Sequence, residues 1–197
     1  MRAQVSRLTS PIRVPQRRLF FLRLGQAGLS AAAVALLAGC ESMAARGNGS
    51  AAASAQDVTI LNQALGLEHE AIAAYQLGAE SGFLEKSVLD LAVTFQGQHR
   101  AHAQVLSDTV RTLGGTPVEP KSAYDFPVDT LKSQTDVLAF AADLEQAAVS
   151  AYLGAVPQFE DRALAKAAAS ILGDEAMHWA TLRIALGLPP VPDAFVS

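Results

Sequence analysis

Apolar residues recur at alternating steps of three and four along four stretches, roughly Asp57 to Ser81, Lys86 to Leu113, Thr135 to Val156 and Asp161 to Leu186. That period belongs to a helix with one face turned to a core, and each stretch is long enough for a bundle helix. No stretch alternates strictly as a half-buried strand does, which predicts an all-α chain. Asp57, Thr135 and Asp161 are suited to N-caps or first-turn acids. Gly82, Gly114-Gly115, Pro157 and Gly187 punctuate the far ends. The short links, Gly82 to Glu85 and Pro157 to Glu160, predict antiparallel neighbours within each helix pair. Between the pairs, Gly114 to Gln134 holds Pro117, Pro120 and Pro127 and no apolar stripe. A connection of about twenty residues is too long for a tight hairpin and predicts a long crossover between helices 2 and 3.

The inward stripes carry more than apolar side chains. Helix 1 turns Leu61, Leu65, Glu68, Ile72, Tyr75 and Ala79 to one side. Helix 2 turns Val88, Ala92, Phe95, His99, His102, Leu106, Thr109 and Leu113, with two histidines at i and i+3 in mid-stripe. Helix 3 resembles the first with Leu138, Ala142, Glu145, Val149, Tyr152 and Val156. Helix 4 resembles the second with Leu164, Ala168, Ile171, Glu175, His178, Leu182 and Ala185. Glu68, Glu145 and Glu175 therefore point to the middle of one bundle together with His99, His102 and His178. A buried carboxylate without a partner is costly, so such a cluster requires protons, mutual pairing or a cation.

The two halves match. Leu67-Glu68-His69-Glu70-Ala71-Ile72-Ala73-Ala74-Tyr75 aligns with Leu144-Glu145-Gln146-Ala147-Ala148-Val149-Ser150-Ala151-Tyr152 at an offset of 77, and His99-x-x-His102 aligns with Glu175-x-x-His178 at 76. A Glu on one helix and a ligand-x-x-His on its partner, given twice, is an arrangement that places two metals between four helices. Carboxylate oxygen and imidazole nitrogen suit iron or manganese, with zinc a common interloper.

On these residues the chain resembles the ferritin-like superfamily over about Asp57 to Phe195, and within it the exported, desiccation-related ferritin-like proteins. The narrower resemblance is carried by Ile60-Leu61-Asn62 before Leu67-Glu68-His69 and by Tyr124-Asp125-Phe126-Pro127 in the crossover. It continues in Ser150-Ala151-Tyr152-Leu153-Gly154-Ala155, Ala169-Ser170-Ile171-Leu172 before Glu175-Ala176-Met177-His178, and the closing Pro192-Asp193-Ala194-Phe195. The resemblance implies a ferritin-like four-helix bundle with an internal two-fold repeat. It implies Glu68 and Glu145 as terminal ligands, Glu175 as a bridging ligand, His102 and His178 as one imidazole per metal, and Asp174 as the acid orienting a ligand histidine.

His99 departs from that pattern, because the superfamily has Glu there. An imidazole nitrogen does not bridge two cations as a carboxylate does, and three carboxylates neutralise two divalent ions less well than four. One ion, a strong and a weak site, or a vestigial site held by hydrogen bonds all stay open. Tyr75 and Tyr152 read as core aromatics whose hydroxyls bond a ligand carboxylate rather than as redox relays. Met177 and Trp179 flank His178 off the stripe and read as helix packing. His69 and Glu70 are rotated by about 100 and 200 degrees from Glu68 on a 3.6-residue helix, so Glu68 is the ligand and Glu70 faces solvent.

Charge and composition add an address to this domain. Half of the residues are hydrophobic, enough for one domain with a core, and disorder is excluded. The single cysteine, Cys40, excludes a disulfide framework or a thiolate metal site within one chain. Residues 1–39 hold six arginines and no acid, so the remainder carries nine basic against nineteen acidic residues. That balance argues against a nucleic-acid partner. No Gly-x-Ser-x-Gly elbow or glycine-rich phosphate loop occurs.

Arg17-Arg18-Leu19-Phe20-Phe21-Leu22-Arg23, an apolar run from Leu24 to Ala38, and Leu37-Ala38-Gly39-Cys40 follow one another in the order of an export signal. The run of about 15 residues is short for a bilayer span. The arginine pair resembles a twin-arginine signal, with Gln16 where Ser or Thr is usual, and Leu-Ala-Gly-Cys resembles a bacterial lipobox. These resemblances imply removal of 1–39 and lipidation of Cys40, which would anchor the domain to a membrane on the periplasmic side of the bacterial envelope. Residues 40–56, rich in Gly, Ser and Ala, suit a flexible tether to a bundle over 57–197.

The expectation is an envelope-anchored ferritin-like protein that binds one or two iron or manganese ions and reacts with oxygen or peroxide in oxidative or drying stress. The alternative is a metal-free structural or interaction lipoprotein with a vestigial site. Oligomeric state, and inner against outer membrane, are open on sequence.

Overall fold

The computed structural model describes residues 55–195. The export signal expected over 1–39, Cys40 and the expected tether up to residue 54 lie outside the described residues. Four helices are present, α1 (Ala55–Glu80), α2 (Lys86–Thr112), α3 (Gln134–Ala155) and α4 (Arg162–Ala185), with 3-10 turns at Val128–Thr130 and Val156–Gln158 and no strand among the described residues. The all-α bundle expected from the apolar period is what forms. No helix among the described residues is long and apolar enough to cross a membrane.

Helix ends differ from the expectation by a residue or two, each for a local reason. α1 begins at Ala55, two residues inside the stretch assigned to the tether, because the Gln56 amide donates to Gln158 O at 2.7 Å and the Thr59 hydroxyl to Ala55 O at 2.7 Å. Ser133, not Thr135, caps α3, accepting from Asp136 N while its hydroxyl donates to Asp136 Oδ2 at 2.8 Å. Asp161 caps α4 as expected, accepting from Ala163 N and Leu164 N. Gly82, Gly114 and Gly187 take left-handed φ values of 74°, 78° and 72° after their helices.

Asp57 is a first-turn acid of α1, one of the two roles expected of it, and not its cap. It is 1% exposed in the first turn of α1, and its two oxygens accept from Glu160 N at 2.9 Å and Asp161 N at 3.0 Å. The start of α1 is thereby fastened to the α3–α4 link. Asp57→Ala leaves both amides without these acceptors and is expected to destabilise the fold by about 2 to 3 kcal/mol. A urea midpoint unchanged from wild type would show that solvent replaces the carboxylate.

The short links make α1 pack against α2 and α3 against α4 along their lengths. The crossover is pinned to α1 by Asn62, whose amide donates to Thr116 O at 3.0 Å and whose oxygen accepts from Val118 N at 2.8 Å. His69 Nε2 lies 3.3 Å from Val118 O, so this histidine serves the crossover. Glu70 is half-buried rather than turned to solvent. Trp179 is packed in the core, whereas Met177, read above as packing, is 61% exposed.

Two apolar clusters fill the bundle at different heights. Leu61, Leu65, Ala103, Leu106, Val110, Leu164 and Ala168 form one. Tyr75, Ala92, Phe95, Leu138, Ala142, Trp179 and Leu182 form the other. The residues between them in each helix are the glutamates and histidines of the four stripes.

Candidate metal centre

Between the apolar clusters, Glu68, His99, Glu145, Glu175 and His178 are each at most 2% exposed, and His102 reaches them from a half-buried position. Two sets of atoms converge within 4.8 Å of one another, one from Glu68, His99, His102 and Glu175, the other from His99, Glu145, Glu175 and His178. All six residues singled out in the stripes therefore meet, and His99 and Glu175 belong to both sets.

The outer contacts hold this layer rigidly. The Tyr152 hydroxyl donates to Glu68 Oε1 at 2.6 Å, and the Tyr75 hydroxyl donates to Glu145 Oε1. The tyrosines are crossed, since each serves the glutamate of the opposite half and so ties α1 to α3. Burial and the neighbouring carboxylates Glu145 and Glu68 push both phenols well above the usual range, so they stay protonated donors.

His99 lies across the centre. Its Nδ1 is 2.8 Å from Glu68 Oε2 and its Nε2 is 3.2 Å from Glu145 Oε1. Both partners are acceptors, so both ring nitrogens carry hydrogen and the ring is a cation between two anions. His178 is clamped by Phe95, whose ring stacks on it at 4.0 Å, and by Gln98, whose Oε1 is 2.7 Å from His178 Nε2. Asp174 Oδ2 lies 3.3 Å from His102 Nε2 and 3.4 Å from His178 Nε2, so one acid stands behind both imidazoles. Phe95 was legible only as a core position, and Gln98 gave no signal, because it lies off the stripe beside His99.

Five buried atoms are left without a hydrogen-bond partner: His102 Nδ1, His178 Nδ1, Glu145 Oε2 and both oxygens of Glu175. His102 Nδ1 is 3.1 Å from Glu175 Oε1, and His178 Nδ1 is 3.4 Å from Glu175 Oε2, close but without hydrogen-bond geometry. Orphaned buried polar atoms are rare and each is costly. Here they are one nitrogen for each half, a carboxylate with one oxygen turned to each, and the second oxygen of Glu145, which fits a cation of the iron or manganese class. With the outer nitrogens engaged by Asp174 and Gln98, both Nδ1 atoms are presented inward as ligands.

Without a metal, the layer neutralises itself. Burial alone would lower the histidine values, but the close contacts and charges of Glu145, Glu68, Glu175 and Asp174 outweigh it. They raise His99 to about 10, His102 to about 11 and His178 to about 9. Burial likewise opposes ionisation of Glu68 and Glu145, yet the histidines beside them hold both below the usual carboxylate range. For Glu175 burial prevails and its value is raised.

These shifts set the sign of a pH dependence. Histidines with raised values stabilise the metal-free fold fully below pH 6.5, and that stabilisation is lost as pH climbs through about 9 to 11. The lowered glutamates add stability above about pH 4.5 that is lost on acidification. Urea midpoints of the metal-free protein should therefore be highest near pH 5 to 6.5 and fall steadily toward pH 10. Metal uptake must displace the same protons, so apparent affinity should rise with pH and protons should be released at neutral pH. Uptake with no proton release would show that the histidines are not ligands.

The four-helix fold recurs in known proteins. No curated protein matches this chain. A crystal structure of a conserved hypothetical protein, rv2844, from Mycobacterium tuberculosis superposes with a TM-score of 0.62 at 24% identity, covering 71% of this chain and 96% of that one. A crystal structure described as ferritin like, diiron-carboxylate proteins from Bacillus anthracis str. Ames superposes with a TM-score of 0.57 at 21% identity, covering 66% and 94%. At these identities the two structures establish the fold. Residues 56–188 match the family described as "Ferritin-like domain", a stretch that spans all four helices, and the chain belongs to that family.

Proposed function

We propose that the bundle binds iron or manganese between its four helices, through Glu68, His102, Glu145, Glu175 and His178 in the layer that His99 crosses, and serves redox protection. The carrying observation is the set of five buried, unpartnered ligand atoms centred on Glu175. A purely structural layer would close hydrogen bonds on a fully buried carboxylate, whereas the histidines approach both Glu175 oxygens without hydrogen-bond geometry. The diiron-carboxylate description of the Bacillus anthracis structure favours iron. Bound there, such an ion supplies one-electron exchange with oxygen or peroxide. The protein's own part is to exclude bulk water with the two apolar clusters and to hold the ligands in place through Tyr75, Tyr152, Asp174 and Gln98.

The narrower reading is an exported, desiccation-related protein of the bacterial envelope, tethered on the periplasmic side by lipidated Cys40 and acting in oxidative or drying stress. It rests on the arginine pair, the apolar run and Leu37-Ala38-Gly39-Cys40, together with the motifs in the crossover and at the end of the domain.

The test is metal content by mass spectrometry on the full chain, purified without chelator and then loaded anaerobically with ferrous or manganous ion. One or two ions per chain support the reading and justify oxygen and peroxide assays. None under any loading condition leaves a metal-free structural or interaction protein. Cys40→Ala, compared with wild type by membrane fractionation, is expected to release the protein, and retention on membranes would remove the lipid anchor.

A further inference from the structure

The geometry points to two unequal metal positions in this layer, with the ion at Glu145, Glu175 and His178 bound first and tightly, and the position at Glu68, His102 and Glu175 filled only weakly. This deepens the metal-binding reading and depends on it. The inequality comes from how His99 and the two tyrosines use up the terminal carboxylates. Glu145 receives both of its donors, the Tyr75 hydroxyl and His99 Nε2, on the single oxygen Oε1, and its Oε2 is free. Glu68 receives one on each oxygen, the Tyr152 hydroxyl on Oε1 and His99 Nδ1 on Oε2, at 2.6 and 2.8 Å.

A cation beside Glu145 therefore meets three unpartnered atoms, Glu145 Oε2, Glu175 Oε2 and His178 Nδ1. It disturbs none of the hydrogen bonds that hold the layer. A cation beside Glu68 meets two unpartnered atoms, His102 Nδ1 and Glu175 Oε1, and gains its third ligand only by competing with a short contact to His99 or Tyr152. Loss of one hydrogen bond to a charged group lowers affinity by about tenfold or more. Solvent exposure adds to the difference, since the side chain of His178 is 2% exposed and that of His102 is 15% exposed. A carboxylate at 99 would donate to neither glutamate, so the part of the asymmetry set by hydrogen bonds comes from this chain's histidine.

The experiment is an anaerobic titration of the metal-free full chain with manganous ion, in which electron paramagnetic resonance counts the ion left free in solution. Wild type is expected to take up one equivalent, and a second only at free concentrations at least about tenfold higher. Glu145→Gln is expected to lose the tight step, and Glu68→Gln to keep it, with far-ultraviolet circular dichroism showing that both variants are folded. His99→Glu is expected to draw the two steps within tenfold of each other. Two equivalents taken up together by wild type would overturn the order of filling while leaving metal binding intact. Loss of the tight step in Glu68→Gln but not in Glu145→Gln would reverse the assignment, and a gap that persists in His99→Glu would remove His99 as its cause. No uptake by wild type would end the order and the metal-binding reading together.

Discussion

Glu175→Ala is expected to abolish metal uptake, leaving less than about a tenth of the wild-type content after anaerobic loading. Glu175 alone supplies an oxygen to both halves of the layer, and its oxygens are unpartnered at 0% exposure. No neighbouring acid takes its place, because Asp174 stands outside the two histidines and Glu68 and Glu145 each belong to only one of the two sets. The effect on stability should have opposite character with and without metal. A ligand at a hundred to a thousand times its dissociation constant stabilises a fold by about 2.7 to 4.1 kcal/mol. That corresponds to roughly 10 °C in a domain of this size. The wild-type melting temperature should rise by about that much on loading and the variant's should not move. In the metal-free state Glu175→Gln, which keeps the volume and removes the charge, should cost less than about 1 kcal/mol, because burial already disfavours the ionised form of Glu175. Full metal content in Glu175→Ala, or a large loss of metal-free stability in Glu175→Gln, would make Glu175 a structural residue.

Leu65→Ala is the second large effect, a loss of about 3 to 5 kcal/mol. Leu65 is 0% exposed and sits one turn from Glu68, in the cluster formed with Leu61, Ala103, Leu106, Val110 and Leu164. Its truncation removes transfer free energy and leaves a cavity under the polar layer that four helices cannot all close at once. The urea midpoint should fall with little change in slope. A loss below about 1 kcal/mol would show that this end of the bundle repacks freely.

The two residues differ in how their roles can be read. Leu65 is a core residue on helical period alone, because an apolar side chain on the inner face is buried whatever it meets. Glu175 is a charged residue on the same kind of face. Its inward position was legible from the i, i+3 spacing to His178, and its centrality from the match between the halves. What stands opposite each side chain was not legible. Asn62, His69 and Val118 meet because the crossover runs along α1, and Asp57 finds Glu160 and Asp161 a hundred residues away. Thr135 borders the apolar period, but Ser133 is the cap, because a cap is decided by which hydroxyl reaches a free amide.

By itself the sequence determined the helix count, the pairing of neighbours, the long crossover and the level at which charge enters the core. These follow from the 3.6-residue period, from link length and from the cost of burying a carboxylate, all of which act along the chain. Only the tertiary structure decided that Tyr75 and Tyr152 cross to the opposite halves, that Asp174 backs two histidines, and that His99 takes one oxygen from each terminal glutamate. Those contacts depend on the rotation and height of one helix against another, which packing of the two apolar clusters sets and no spacing within a helix encodes.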